Sequence, residues 1–119
     1  MRPMLRNFKI SEFDSRDLPG SGSNMQPSTL MLLDNARDYA GIPFTINSGY
    51  RTPAHNTAVG SKPTSSHVRG YAVDIAVNLM TRDRILAGCI KAGFKRIGIA
   101  KTFLHVDNDP VKPNATWYY

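Results

Sequence analysis

Two segments of this chain repeat apolar residues at three- and four-residue spacing, and each segment stops at a glycine. The first carries Pro27 in its first turn, has Asn24 as its predicted N-cap and ends at Gly41; the second begins at Thr81 and ends at Gly93. The apolar positions are Leu30, Leu33, Ala36 and Ala40 in the first segment, and Ile85, Leu86, Cys89 and Ile90 in the second. This periodicity predicts two amphipathic helices that pack against one core.

Short runs between and after these helices alternate apolar and polar residues, as half-buried strands do. They cover residues 43–48, 71–77, 97–99 and 102–107, and the last two runs are close enough in sequence to form a hairpin. A loop or short helix over 54–66 joins the first two runs. The order of the elements predicts an α+β domain in which a small, mainly antiparallel sheet packs against two or three helices.

The length of 119 residues corresponds to one domain, which can fold without disulfides. We assign residues 1–119 to a single domain, in which residues 1–24 form an N-terminal arm and a loop of turn-forming residues. The only cysteine, Cys89, excludes an intramolecular disulfide. No apolar run approaches the ~20 residues that cross a bilayer, so we expect no stable membrane insertion.

The charge balance favours an anionic partner. Fifteen Lys and Arg residues against nine Asp and Glu residues give a net charge of +6, which suits a nucleic acid, a membrane surface or an acidic polymer such as bacterial cell wall. The positive residues are scattered and form no basic run, so we do not predict nucleic-acid binding. A general contribution to solubility is the alternative explanation of the charge.

Two histidines stand beside predicted strands, each with an aspartate nearby. In the stretch SSHVRGYAVD, His67 and Asp74 lie on either side of Gly70, whose backbone freedom allows the chain to fold back. Alternation along FLHVD places His105 and Asp107 on one face of a strand. A lone histidine is more often structural than a ligand, but two histidines with one carboxylate match the donors of a catalytic zinc site. A structural zinc site is not expected, because such sites usually use several thiolates.

These stretches carry a family resemblance. The pattern S-x-H-x-x-G-x-A-x-D over residues 65–74, followed about thirty residues later by H-x-D, is similar to the M15 zinc peptidases of peptidoglycan, the group of D-Ala-D-Ala carboxypeptidases and phage endolysins. The segment SGYRTPAHN over 48–56 resembles the S-G-Y-R-s-x-x-H-N segment of the same family. The arm from Phe8 to Phe13 and the terminal Trp117 have counterparts in its short single-domain members. The resemblance implies a hedgehog/D-Ala-D-Ala peptidase-like fold.

The resemblance also implies roles for individual residues. His67, Asp74 and His105 would bind Zn²⁺, which activates a water molecule and polarises the scissile amide carbonyl. Arg51 matches the arginine that holds substrate and stabilises the developing oxyanion; a solvated turn arginine is the alternative. Ser65 matches a serine that hydrogen-bonds substrate near the metal, with a turn or capping serine as the alternative.

At the position of the general base, this sequence differs from part of the family. Several members have a glutamate three residues before the last histidine, where this chain has Thr102, which cannot accept a proton from water. We predict Asp107 as the base, with orientation of a ligand histidine as its alternative role. His55 and Asn56 match positions that fix the loop, and His55 is not a predicted ligand.

The function implied is that of a zinc metallopeptidase that hydrolyses peptidoglycan stem peptides, as a D-Ala-D-Ala carboxypeptidase or an L-Ala-D-Glu-type endopeptidase, in phage or bacterial cell-wall lysis. The alternative is a non-catalytic zinc-bearing module that binds cell wall or a protein, favoured by the missing glutamate. We expect a monomer. Because MRPMLRNFKI lacks the apolar core of a secretory signal, we expect synthesis in the cytoplasm and action in the periplasm or wall, after release or as part of a phage particle.

Overall fold

The computed structural model describes residues 4–119, so the first three residues of the predicted arm lie outside the described part. Its elements, in chain order, are two 3₁₀ helices (Ile10–Phe13 and Ser21–Asn24), α1 (Pro27–Ala40), β1 (Thr45–Ser48), α2 (Pro53–Ala58), β2 (Ala72–Ala76), α3 (Arg82–Ala92), β3 (Arg96–Ile99), β4 (Phe103–Asp107) and β5 (Ala115–Tyr118). The predicted α+β class is confirmed.

The five strands form one sheet in the order β1-β2-β4-β3-β5. All neighbours are antiparallel except β3 and β5, and the predicted β3–β4 hairpin is confirmed. Strand β5 was not predicted, because its parallel pairing depends on a loop that returns the chain alongside β3. Leu104 and Val106 are fully buried and belong to the core on the helix side of the sheet. Strand alternation therefore turns His105 to the opposite face.

The two long helices pack on each other and on the core. The apolar positions predicted for α1 are all buried, and so are Ile85 and Cys89 of α3. The prediction for Ile90 is wrong, because its side chain is 58% exposed. The close contact runs through Gly88, where an added Cβ would lie 2.6 Å from the carbonyl oxygen of Ala36. The packed side of α3 therefore carries Ile85, Gly88 and Cys89, and residue 90 lies on a different side of the helix.

The predicted C-terminal ends of the helices agree with the structure better than the predicted N-terminal ends do. Gly41 and Gly93 end α1 and α3 in the left-handed conformation, as predicted, with φ of 70° and 114°. The N-cap of α1 is Gln26 and not Asn24, because Asn24 ends the second 3₁₀ helix. Thr81 occupies the N-cap position of α3, although its hydroxyl makes no capping bond to the helix.

The N-terminal arm packs beneath the connection between β1 and α2. Phe8 and Phe13 are buried in the core, with ring centroids 5.4 Å apart. The carbonyl of Phe13 accepts a hydrogen bond from the Tyr50 N–H at 2.9 Å. A Cβ at Gly49 would lie 2.8 Å from Phe13 Cα, so the close approach requires glycine.

Within residues 4–119, no helix combines the length and apolar character needed to cross a membrane.

We expect Gly88→Ala to destabilise the protein by about 1–3 kcal/mol, because the new methyl group meets the backbone of α1. At an open helix position the same change would stabilise by up to about 1 kcal/mol through helix propensity, so the sign of the effect is diagnostic. Urea unfolding measures it. Ala87→Gly, at the exposed neighbouring position, is the control and should lose only about 1 kcal/mol. A Gly88→Ala variant that is as stable as the parent would contradict the tight contact.

Candidate metal centre

The centre of the site is a pair of residues directly opposite each other on β2 and β4. The antiparallel register pairs Asp74 with His105. Residues paired in this way present their side chains to the same face of the sheet, close enough to interact. His105 Nδ1 lies 3.1 Å from Asp74 Oδ1. The strands alone therefore bring one imidazole and one carboxylate together.

The turn before β2 delivers the second histidine. Gly70 has φ of +79°, and a Cβ there would lie 2.3 Å from the carbonyl oxygen of Asn24, so the turn needs glycine for both conformation and space. His67 is buried, and its Nδ1 lies 2.8 Å from the carbonyl oxygen of Gly49. Its Nε2 lies 3.3 Å from Asp74 Oδ1. The turn thus aims His67 at the same oxygen that faces His105.

The structure brings the three predicted ligands together. One donor atom each from His67, Asp74 and His105 can be chosen so that all lie within 4.8 Å of one another, and residues 4–119 contain no other group of potential metal ligands that meets this condition. Two imidazoles with one carboxylate form a donor set that suits zinc and leaves a coordination position for water.

Hydrogen bonds behind each ring fix the histidine tautomers. The Gly49 carbonyl can only accept, so His67 carries its proton on Nδ1 and turns an unprotonated Nε2 towards Asp74. His105 Nε2 lies 2.6 Å from Asp107 Oδ2 and donates to it, which leaves Nδ1 for Asp74. Backbone carbonyls and carboxylates bonded to the far nitrogen are typical supports of metal-binding histidines. The donor atoms are therefore already oriented for an ion.

The pKa shifts of Asp74 and His105 favour positive charge beside Asp74. Burial raises the pKa of Asp74, but the neighbouring His105 and His67 rings together outweigh burial and hold that pKa well below its usual range. Burial lowers the pKa of His105, but its bonds to Asp107 and Asp74 outweigh burial and raise that pKa. Both shifts favour positive charge beside the Asp74 carboxylate.

Arg51 forms an ion pair with the other oxygen of Asp74. Its Nη2 lies 3.3 Å from Asp74 Oδ2, its Nε donates to Ser48 Oγ at 3.0 Å, and its Nη1 donates to Asn56 Oδ1 at 3.4 Å. The side chain is only 13% exposed, which does not fit a solvated turn arginine. Asn56 is buried and also donates to the Lys62 carbonyl at 2.9 Å, so it fixes the following loop.

Asp107 lies behind His105, on the side of the ring away from Asp74. Its Oδ2 accepts from His105, and its Oδ1 accepts from Arg96 Nε at 2.8 Å and from the Asp109 N–H at 3.1 Å. Burial raises the pKa of Asp107, but the bond and charge of His105, the Asp109 N–H and the charge of Arg96 together outweigh burial, and the pKa is lowered. With both oxygens occupied and 1% exposure, this geometry does not support the prediction of a general base. It matches the alternative role, the orientation of His105.

The remaining candidates separate into those near the cluster and those away from it. Ser65 Oγ accepts from the His67 N–H at 3.3 Å, and the residue borders a groove beside His105. His55 lies on α2 and does not belong to the cluster. Thr102 is exposed in the turn before β4. Cys89 is buried, and burial raises the pKa of its thiol to about 12, so it offers no thiolate.

Sequence reasoning missed one side of the site. Trp117 of β5 lies over the His105 ring with centroids 5.4 Å apart. It lines the groove together with Lys62, Arg96 and Lys112. The alternation of Ala115 to Tyr118 was the available signal for β5, and without that strand Trp117 could not be placed.

Comparisons with known proteins agree with the motifs. A search of curated proteins finds no match to the chain. The family model described as Peptidase M15 matches residues 6–107, a range that contains the arm, Arg51 and all three clustered side chains. Because this match covers most of the chain, the protein belongs to the M15 peptidase family.

Proposed function

We propose that this protein is a zinc-dependent peptidase that hydrolyses the stem peptides of peptidoglycan. Membership of the M15 family supports the peptidase activity. The observation that carries the zinc dependence is the convergence of one nitrogen each from His67 and His105 on one oxygen of Asp74, with the other nitrogen of each ring hydrogen-bonded from behind.

His67 Nε2, His105 Nδ1 and Asp74 Oδ1 are the atoms that would hold the ion. Zinc bound there would act as a Lewis acid towards the scissile carbonyl and would lower the pKa of a water molecule towards neutrality. The Gly49 carbonyl and Asp107 keep the two rings in place. Hydrogen-bonded partners of this kind raise the basicity of the ligands and reduce the freedom lost when the ion binds.

Arg51 and Ser65 are the residues that we assign to substrate. Bonds to Ser48 and Asn56 hold the Arg51 guanidinium beside Asp74, so its positive charge is already in place when negative charge develops on the carbonyl oxygen. Ser65 Oγ accepts from a backbone N–H, which leaves its own proton available for donation to the substrate.

Peptidoglycan as substrate is supported by the family and by charge. The net charge of +6 favours an anionic polymer. Terminal D-Ala-D-Ala cleavage and internal cleavage of the L-Ala-D-Glu type both remain within this proposal, because they require the same chemistry at the metal. We place the site of action at the cell wall or periplasm, in phage or bacterial lysis, with the protein acting as a monomer.

One observation favours the second candidate, a non-catalytic zinc-bearing module that binds cell wall or a protein. Thr102 stands where several relatives have a glutamate base, and Asp107 is occupied behind His105. A zinc site without a residue that accepts the proton of water would bind peptide without cutting it. Turnover measurements separate the two candidates.

The zinc-loaded chain is expected to release new amino termini or D-alanine from purified muropeptides, as detected by mass spectrometry. His105→Ala should lose both the bound zinc and this activity, because only two ligands remain. His55→Ala is the matched control and should keep one zinc per chain and full activity, since His55 lies outside the cluster. Stoichiometric zinc without any cleavage would support the binding module, and full zinc in His105→Ala would remove the proposed ligand set.

Asp107→Asn tests the positioning role. An amide has one accepting oxygen where the carboxylate has two, so it cannot accept from His105 and from Arg96 and Asp109 at once, and the support of His105 should loosen. We expect zinc affinity to fall by about 10–100-fold, as for other residues that support a ligand histidine. Competition with a chromophoric chelator measures the affinity. Unchanged zinc affinity together with a loss of turnover by orders of magnitude would instead make Asp107 the general base.

Zinc affinity should decrease as the pH falls, and the decrease should begin above the pH range of an ordinary histidine. Burial lowers the pKa of His105, but its bonds to Asp107 and Asp74 outweigh burial and raise the pKa above 6.5. Zinc must displace this proton, so below the raised pKa each pH unit should weaken binding by about tenfold. Chelator competition over a pH series measures this. Constant affinity down to pH 6.5 would contradict it.

A further inference from the structure

We propose that a basic groove beside His105 binds a free carboxylate of the peptide substrate. The groove has a volume of about 240 Å³, several times the ~30 Å³ that one water molecule occupies in the liquid. It therefore has room for a group of several heavy atoms. Ser65 and His105 both line it, so it is continuous with the proposed zinc site.

The charge of the lining is unbalanced. Lys62, Arg96 and Lys112 contribute three positive charges, and Asp107 is the only carboxylate that lines the groove. Asp107 is 1% exposed and already accepts from His105 and Arg96. Arg96 pairs with Asp107, and Lys112 Nζ lies 4.0 Å from Oδ2 of the buried Asp109, so the excess positive charge of the groove is that of Lys62. An anionic group is the chemistry that complements it.

Arg96 is held in a fixed position on one wall. Its Nε donates to Asp107 at 2.8 Å, its Nη1 donates to the Pro113 carbonyl, and its guanidinium lies 5.1 Å from the centroid of the Trp117 ring. Its Nη2 has no hydrogen-bond partner within residues 4–119, where no buried side-chain nitrogen or oxygen is left unpaired, so Nη2 reaches solvent. An immobilised arginine with a free N–H loses little entropy when it binds a carboxylate.

Hydrogen bonds also hold the loop that forms the opposite wall of the groove. Lys112 Nζ donates to the Thr64 carbonyl at 2.9 Å and joins the β4–β5 loop to the loop before His67. Asn56 holds that loop through the Lys62 carbonyl. The Lys62 ammonium itself is in no ion pair or hydrogen bond with the rest of residues 4–119, and its residue is exposed. Lys62 can therefore turn towards a ligand without breaking a contact.

Stem peptides carry carboxylates near the bonds that such an enzyme could cut, including the α-carboxyl group of a γ-linked D-glutamyl residue and the C-terminal carboxyl group. A peptide whose scissile bond lies at the zinc site would place an adjoining residue in the groove. The identity of the ligand as a peptide rests on the proposed function, whereas the preference for a carboxylate rests on the groove itself.

The test uses the pentapeptide L-Ala-γ-D-Glu-L-Lys-D-Ala-D-Ala, which contains both bonds named in the proposed function, in three forms: both carboxyl groups free, only the glutamyl α-carboxyl amidated, or only the C-terminal carboxyl amidated. Calorimetry on the full chain in the presence of a chelator measures binding without competing hydrolysis. We expect one of the two amidations to weaken binding by about tenfold or more. The same preference should appear in kcat/KM of the zinc-loaded chain.

Lys62→Gln should remove most of the difference between free and amidated peptide, because its side chain makes no contact that the fold needs. Lys91→Gln is the matched control: it removes the same charge from α3, on the other side of the sheet, and should keep the difference. Less than about twofold discrimination by the parent chain, no measurable binding of any form, or equal effects of the two variants would each overturn the proposal.

The outcomes also separate this inference from the proposed function. Carboxylate-dependent binding by a chain that cuts none of the peptides would keep the groove assignment and reject the peptidase. Cleavage of free and amidated peptides at equal rates would keep the peptidase and reject the groove assignment.

Discussion

The candidate site depends on the contacts that the two oxygens of the Asp74 carboxylate make. One oxygen faces nitrogens of His67 and His105, and the other faces Arg51. A partly buried carboxylate is costly unless it is paired and hydrogen-bonded. The register of β2 and β4 and the turn before β2 are both consistent with this requirement, since each brings a polar partner to the same group.

The supports behind the histidines come from parts of the chain that are distant in sequence. The N-terminal arm packs Phe13 against Gly49, whose carbonyl holds His67. On the other side, Asp109 is buried and accepts from Ser66 Oγ at 2.7 Å, which joins the end of β4 to the turn that carries His67. Because both rings are held before any ion binds, the site is preorganised, as a functional site needs to be.

The two sides of the cluster differ in what they offer a substrate. Arg51 adds charge next to the proposed metal ligands, where the proposed reaction would develop negative charge. The groove that we propose adds the charge of Lys62 further along the sheet, where it would select a substrate without taking part in the chemistry. Asp107 is shared by both sides, since it accepts from His105 and from Arg96. Its substitution should therefore affect metal binding and substrate selection together.

Several features of the fold could be predicted because local chemistry decides them. The glycines at 41 and 93 end helices, since few other residues adopt a positive φ, and the periodicity of the apolar residues located α1 and α3. The motif around His67 and Asp74, with the strand at His105, was enough to propose the ligand set and the family. The antiparallel pairing of β3 with β4 also followed from their short separation along the chain.

The tertiary structure decided what depends on contacts between distant segments. Ile90 is exposed because α3 approaches α1 at Gly88. The alternation of residues 115–118 could indicate a strand, but it does not specify the parallel pairing with β3 that fixes the position of Trp117. The sequence left Asp107 as a base or a support, and the positions of the ring nitrogens of His105 favour the supporting role because Nε2 faces Asp107. The sequence thus determined which donors exist, and the packing of remote segments determined which way they point.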